Sequence, residues 1–249
     1  MGVVTGINDH LKAEMSKKYS RKYKNHQIII DEEITFERFE HRQIEPINGI
    51  TKNQVKYLFS IKENQITFGI GCAGTGKSYV AAGFASDMLR NKKIQKIVVT
   101  RPMAECDEEP GILPGELAEK YAPYFQPFKD ILIDRLGKSA TEYYMKRGQI
   151  EARPLAYMRG STFTNSIVVL DEAQNTTINQ MKMFLTRVGD NTKLLVNGDI
   201  EQIDISKPSG LVDAVRRLKS VPRVGIVAFD ESDIVRSKIC KDIILAYRR

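Results

Sequence analysis

Lys77 and Ser78 end the segment Gly71-Cys72-Ala73-Gly74-Thr75-Gly76-Lys77-Ser78, which fills every fixed position of the phosphate-binding pattern G-x-x-x-x-G-K-[ST]. Glycines let successive backbone N–H groups turn inward around phosphate oxygens, and a helix that follows adds the positive end of its dipole. In that chemistry Lys77 reaches the terminal phosphates of a nucleoside triphosphate and Ser78 places its hydroxyl on Mg²⁺. Tyr79 is the next residue of the cradle. The apolar run Ile66-Thr67-Phe68-Gly69-Ile70 leads in as a strand, and Tyr79 to Leu89, free of proline, leads out as a helix. That context separates the motif from a glycine-rich structural turn.

A second constellation is Ile167-Val168-Val169-Leu170-Asp171-Glu172-Ala173-Gln174, an apolar strand ending in two carboxylates. Ligands in open α/β sheets gather at the carboxyl ends of strands, so these acids share an edge with the phosphate loop. Asp171 is the candidate to hold Mg²⁺, and Glu172 the candidate general base for the attacking water. Strand Lys193–Asn197 runs into Gly198-Asp199-Ile200-Glu201-Gln202, where the neutral amide of Gln202 is placed to sense the third phosphate. These parts suffice for slow ATP hydrolysis. A fast enzyme needs an arginine at the transition state, worth about 10³–10⁵ in rate.

Base choice is partly legible. The guanine-reading pattern [NT]-K-x-D does not occur downstream, which disfavours GTP. Gln54, ahead of the loop, has an amide able to pair with an adenine edge, or is a surface residue of its helix. That helix, Thr51 to Lys62, is expected to turn Val55, Leu58, Phe59 and Ile61 inward.

Positioning these groups requires strands at 66–70, 97–101, 167–171, 193–197 and 224–229. Helices are expected at 77–90, 176–188, 208–219 and 233–247. Residues 102–115 are expected to form a loop, helical segments to reach about 147, and 149–154 is compatible with a further strand. Ile28–Ile30 and Ile34–Phe39 read as short flanking strands of a small hairpin. Strands alternating with helices define an α/β fold with a parallel sheet covered on both faces.

The 249 residues, 42% hydrophobic, suit one large domain. No apolar run reaches membrane-spanning length and no signal-peptide pattern occurs, so a cytoplasmic protein without membrane contact is expected. Cys72, Cys106 and Cys240 are too scattered for a disulfide framework or zinc site. A thiol at Cys72, inside the loop, raises the expectation of sensitivity to oxidation or alkylation. Of the net charge of +7, a local excess of +4 lies in residues 1–26, where six Lys/Arg meet only Asp9 and Glu14. Tyr19 and Tyr23 lie among those charges. Such an arm suits backbone neutralisation and base stacking on single-stranded RNA or DNA, or is simply a solvated terminus.

Together, GCAGTGKSYVAAG, TRPMAECDEEPGILPGELAEKYAPYFQPFKDIL, VVLDEAQN, FLTRVG and NGDIEQIDI followed by SGL resemble the PhoH family of phosphate-starvation-type ATPases, over roughly residues 50 to 249. The DEAQ and GD-x-x-Q elements are also similar to the first RecA-like domain of superfamily 1 helicases. The resemblance implies a RecA-like P-loop core, ATP hydrolysis, association with RNA metabolism and, in several relatives, a hexameric ring. With the charge and pattern readings, the chain divides into a basic arm at 1–26, flanking strands at 27–49 and an expected ATPase domain at 50–249. The family commonly has proline where Cys72 stands and threonine where Ser78 and Asn197 stand; the first two changes keep the loop chemistry and the third bears on sensor behaviour. A fused nuclease domain and a second RecA-like domain are not expected in this length, which with the N-terminal region would suit a phage-encoded member.

The missing arginine has two candidates. Asp233-Ile234-Val235-Arg236, expected at the start of the last helix, is similar to the family's D-V-V-R, and superfamily 1 helicases place an arginine there on the third phosphate. Arg187, at the end of the helix after the acidic strand, is placed to face a neighbouring subunit. Two functions follow: an ATP-driven motor or remodeller on nucleic acid, with Arg101 and the arm on phosphates, or a nucleotide-gated binding and assembly protein without translocation.

Overall fold

Among the described residues, apolar runs bounded by turn residues give six strands, and all of them pair in parallel. The computed structural model describes residues 44–102 and 117–247. In chain order the elements are α1 (Lys52–Glu63), β1 (Ile66–Gly71), α2 (Lys77–Arg90), β2 (Lys96–Thr100), α3 (Leu117–Leu136), α4 (Lys138–Lys146), β3 (Ile150–Ala152), β4 (Ser166–Leu170), α5 (Ile178–Leu185), β5 (Lys193–Gly198), α6 (Gly210–Leu218), β6 (Val224–Phe229) and α7 (Lys238–Tyr247). The compact unit holding them begins at Ile44. The expected flanking strands at 28–39, the basic arm and most of the 102–115 loop lie outside the described residues.

The sheet order is β3-β2-β4-β5-β1-β6. β5 stands between β1, which feeds the phosphate loop, and β4, which feeds the acidic pair. Register aligns Ile66 with Leu194 and Val224, and Ile167 with Ile97 and Lys193. Successive side chains of a strand point to opposite faces. Val98, Val168, Leu170, Leu194 and Val196 accordingly join Met181 and Phe184 of α5 and Leu211 of α6 in one core. Their odd-numbered neighbours Ile97, Val99, Ile167, Val169 and Leu195 are equally buried, on the face where α2 and α3 pack against each other and against β2. Near-continuous apolar strands are what a sheet covered on both faces demands. α3 contributes a single stripe, Tyr121, Phe125, Phe128, Leu132 and Leu136, at helical spacing.

Two elements depart from expectation. α1 buries Tyr57, Leu58 and Ile61, yet Val55 is 53% and Phe59 66% exposed, while the polar Asn53, Gln54 and Ser60 face inward. Partners across the fold decide the rotation of this helix: Asn53 Nδ2 donates to Asp233 Oδ2 at 2.7 Å, and Tyr57 Oη donates to Asn197 Oδ1 at 2.5 Å. These bonds give the inward-facing Asn53 amide and Tyr57 hydroxyl the partners that buried polar groups require. The last helix begins at Lys238 instead of 233. Asp230 and Asp233 cap a short 3₁₀ turn at Glu231–Asp233, and Val235 N then donates to the Gly74 carbonyl at 3.0 Å, which holds the chain extended.

Candidate functional site

The phosphate loop leaves β1 and is braced from beneath before any side chain reaches into the cleft. Thr75 Oγ1 donates to the Cys72 carbonyl at 2.9 Å. Gly76 adopts φ +82°, a conformation that favours glycine, and a Cβ there would lie 2.7 Å from Gln54 Nε2 and push on that side chain. Gln54 is 4% exposed; its Nε2 donates to the Thr75 carbonyl at 3.0 Å and its Oε1 accepts from Ile50 N at 2.9 Å. One donor and one lone pair of its amide are thereby committed to the loop and the chain before α1. Cys72 is 2% exposed, and this burial shields the thiol, contrary to the expectation of a reactive site.

Lys77 opens α2 with Nζ donating to the carbonyls of Gly71 and Cys72 at 2.7 and 2.8 Å. Burial pushes this ammonium down from the ordinary lysine value, and the charge of Asp199 is the main opposing influence. Ser78 Oγ donates to Asp171 Oδ1 at 2.7 Å, joining loop and acidic strand. Burial pushes the Asp171 carboxyl up, while the Ser78 hydroxyl and the Arg101 charge pull it back. Asp171 and Glu172 lie just beyond β4. Glu172 takes φ +53° and ψ +40°, a left-handed conformation rare outside glycine and concentrated at functional positions.

Residues distant in sequence meet here in a cleft of about 530 Å³, lined by Lys77, Ser78, Asp171, Glu172, Gln202 and Arg236 among others. Tyr79 lines it too, and its hydroxyl donates to Asp134 at 2.9 Å. Gln202 follows β5, with its N–H on the Asp199 carbonyl at 3.1 Å. Arg236 packs on the phosphate loop of its own chain: a Cβ at Gly74 would lie 2.9 Å from Arg236 Cγ. Arg187 is not brought to the cleft. It lies just past the end of α5, at the amino edge of the sheet, with its guanidinium donating to the carbonyls of Met183 and Ser161. Any contact of Arg187 with nucleotide would therefore come from another subunit.

Three participants were not singled out from the sequence as parts of this site. Arg101, assigned there to nucleic acid, contacts both Asp171 and Glu172. Gln174 Nε2 donates to Glu172 Oε2 at 2.8 Å, and its Oε1 accepts from Asp199 N at 3.0 Å. Asp199 itself is buried beside Lys77. Gln174 and Asp199 stand in the two acidic-end motifs, whereas Arg101 follows β2 and belongs to neither. Asn197 is fully buried with Oδ1 on Tyr57, below the cleft rather than in it.

A parallel sheet with one strand inserted between phosphate-loop strand and acidic strand, and these groups converging at its carboxyl edge, defines a RecA-like P-loop nucleotide-binding fold. The family profile described as PhoH-like protein matches residues 46–248, and the chain belongs to the PhoH family. Protein PhoH of Escherichia coli (strain K12) is 47% identical over 210 residues, covering 83% of this chain and 59% of that protein. The PhoH-like protein of Bacillus subtilis (strain 168) is 44% identical over 236 residues, covering 94% of this chain and 72% of that protein. Among solved structures, the UvsW helicase from bacteriophage T4 is similar with a TM-score of 0.43 and 15% identity, over 78% of this chain and 65% of that one. Among the described residues no helix is long and apolar enough to cross a membrane.

Proposed function

We propose that this chain is a Mg²⁺-dependent ATPase acting on single-stranded nucleic acid, RNA foremost, as a homo-oligomer for which a hexameric ring is the favoured assembly. The observation that carries the reading is the 2.7 Å contact of Ser78 Oγ with Asp171 Oδ1 at the mouth of the phosphate loop, with Glu172 the next residue. Two hard oxygen donors so placed fit Mg²⁺, which is usually held by one or two protein oxygens, substrate phosphates and water. Ser78 and Asp171 would hold the ion, which would supply positive charge against the phosphates. Lys77 would hold the terminal phosphates, and Glu172 would orient water and receive its proton. Gln202 would report the third phosphate, and Arg236 would meet the charge that develops on it. Support for the nucleic-acid part comes from the Lys/Arg-rich residues 1–26 and from Arg101 at the mouth of the cleft.

Steady-state ATP turnover, with and without single-stranded RNA and DNA oligomers and with molar mass followed in both nucleotide states, tests this reading. Turnover that rises with oligomer supports it. Nucleotide-dependent change of mass without turnover supports instead a nucleotide-gated assembly protein.

A further inference from the structure

Arg101 lies one residue past β2, and its backbone is fastened to α3. Its N–H donates to Tyr121 Oη at 2.6 Å, and Tyr121 Oη donates to the Arg101 carbonyl at 3.1 Å. From that anchored position the side chain crosses to the acidic pair. Nη2 donates to Asp171 Oδ2 at 3.2 Å and to Glu172 Oε1 at 3.1 Å. The remaining carboxylate oxygens are engaged as well: Ser78 takes Asp171 Oδ1, and Gln174 takes Glu172 Oε2. The guanidinium is therefore bonded to Oε1 of the candidate base Glu172 and to the second oxygen of Asp171.

The contact is also lopsided. Both bonds are made by the same nitrogen, and among the described residues Nε and Nη1 have no hydrogen-bond partner. The side chain is 23% exposed. A guanidinium presents a planar fork that matches a phosphate bidentately, and here one corner rests on the carboxylates while, among the described residues, the rest is uncommitted.

We propose that Arg101 is a latch over Asp171 and Glu172, released when a backbone phosphate of single-stranded nucleic acid takes its guanidinium. The carboxylate pair becomes available for Mg²⁺ and water when the polymer is engaged, which couples hydrolysis to the nucleic acid. Arg101 is thus a positioning residue that acts through the two acids. This inference rests on the ATPase reading of the same site.

The test uses the full chain, Arg101→Gln and Arg101→Lys, with two readouts. One is turnover with no polymer, with a single-stranded RNA oligomer, with the matching DNA oligomer, or with inorganic phosphate. The other is the Mg²⁺ concentration giving half-maximal binding of a fluorescent ATP analogue. In Arg101→Gln, turnover without polymer rises about fivefold and loses its response to oligomer, and the Mg²⁺ midpoint falls by a similar factor. In the wild type, oligomer but not inorganic phosphate produces both changes, and Arg101→Lys restores part of the wild-type midpoint. RNA and DNA arms identify which polymer releases the latch.

A slower Arg101→Gln without polymer, or an unchanged Mg²⁺ midpoint, overturns the latch and makes the arginine part of hydrolysis itself. An Arg101→Gln that responds to oligomer like the wild type overturns the coupling. A wild type without turnover whose midpoint still shifts in Arg101→Gln and with oligomer refutes the ATPase reading and supports the latch.

Discussion

Gln174 holds Glu172 from the side away from Arg101, with Nε2 2.8 Å from Glu172 Oε2, while its Oε1 accepts from the Asp199 backbone N–H. One buried amide thereby links the candidate base after β4 to the loop after β5 that carries Gln202. Gln174→Ala is expected to retain nucleotide binding and to lower turnover about 10- to 100-fold, because a misplaced group costs that much even when the chemistry is intact. The same change leaves the buried Asp199 N–H unpaired, at a cost of about 1–3 kcal/mol. Turnover and denaturant unfolding of the variant check both parts.

Gln54 is committed to the loop through Thr75 and to Ile50 N, which separates two roles by experiment. As a brace, Gln54→Ala weakens ATP and GTP binding alike and lowers stability by about 1 kcal/mol. As an adenine reader, it weakens ATP alone. The structure leads us to expect the equal loss, measured by competition of both nucleotides for the same site.

The contact of Arg236 with Gly74 of its own chain predicts action within one subunit. Arg236→Ala should keep ATP binding and lose most turnover. Mixed with Glu172→Gln, with subunit exchange verified, it should regain nothing. Recovered activity would show that the arginine works across an interface, and full activity of Arg236→Ala alone would turn attention to Arg187.

A pH-dependent contribution comes from Glu151 on edge strand β3, which accepts from Arg153 Nε at 2.6 Å and Lys96 Nζ at 3.1 Å. Partial burial works against the carboxylate, but these two cations hold it below the ordinary glutamate value of 4.5. A lowered carboxylate stabilises the fold above its unfolded value and loses that contribution as pH falls through the folded one. Glu151→Gln should therefore destabilise by about 1 kcal/mol or less at neutral pH and less still in acid, as read by urea unfolding at several pH values.

Contiguous features were readable from the chain, and convergent ones were not. The alternation of apolar runs and helices predicted the parallel sheet, because each strand buried on both faces writes its burial into adjacent residues. The phosphate loop is likewise a single run, and the structure sets Asp171 beside Ser78. The rotation of α1 was misread because its inward polar residues answer to Asp233 and Asn197, far along the chain, and periodicity sees only apolar content. Asp230 and Asp233 look like a helix start, yet they cap only one 3₁₀ turn. Arg101 lay hidden for a similar reason, since nothing local to β2 indicates that its end faces two carboxylates from β4.

Glu172 carries the central claim, and Glu172→Gln tests it most directly because the amide keeps the shape and loses the base. Mg²⁺-dependent ATP binding and single-turnover hydrolysis should be measured together on the wild type and this variant. Glu172→Gln should bind ATP at near wild-type affinity with hydrolysis reduced about 10²- to 10⁴-fold. Hydrolysis within a few-fold of wild type would contradict it.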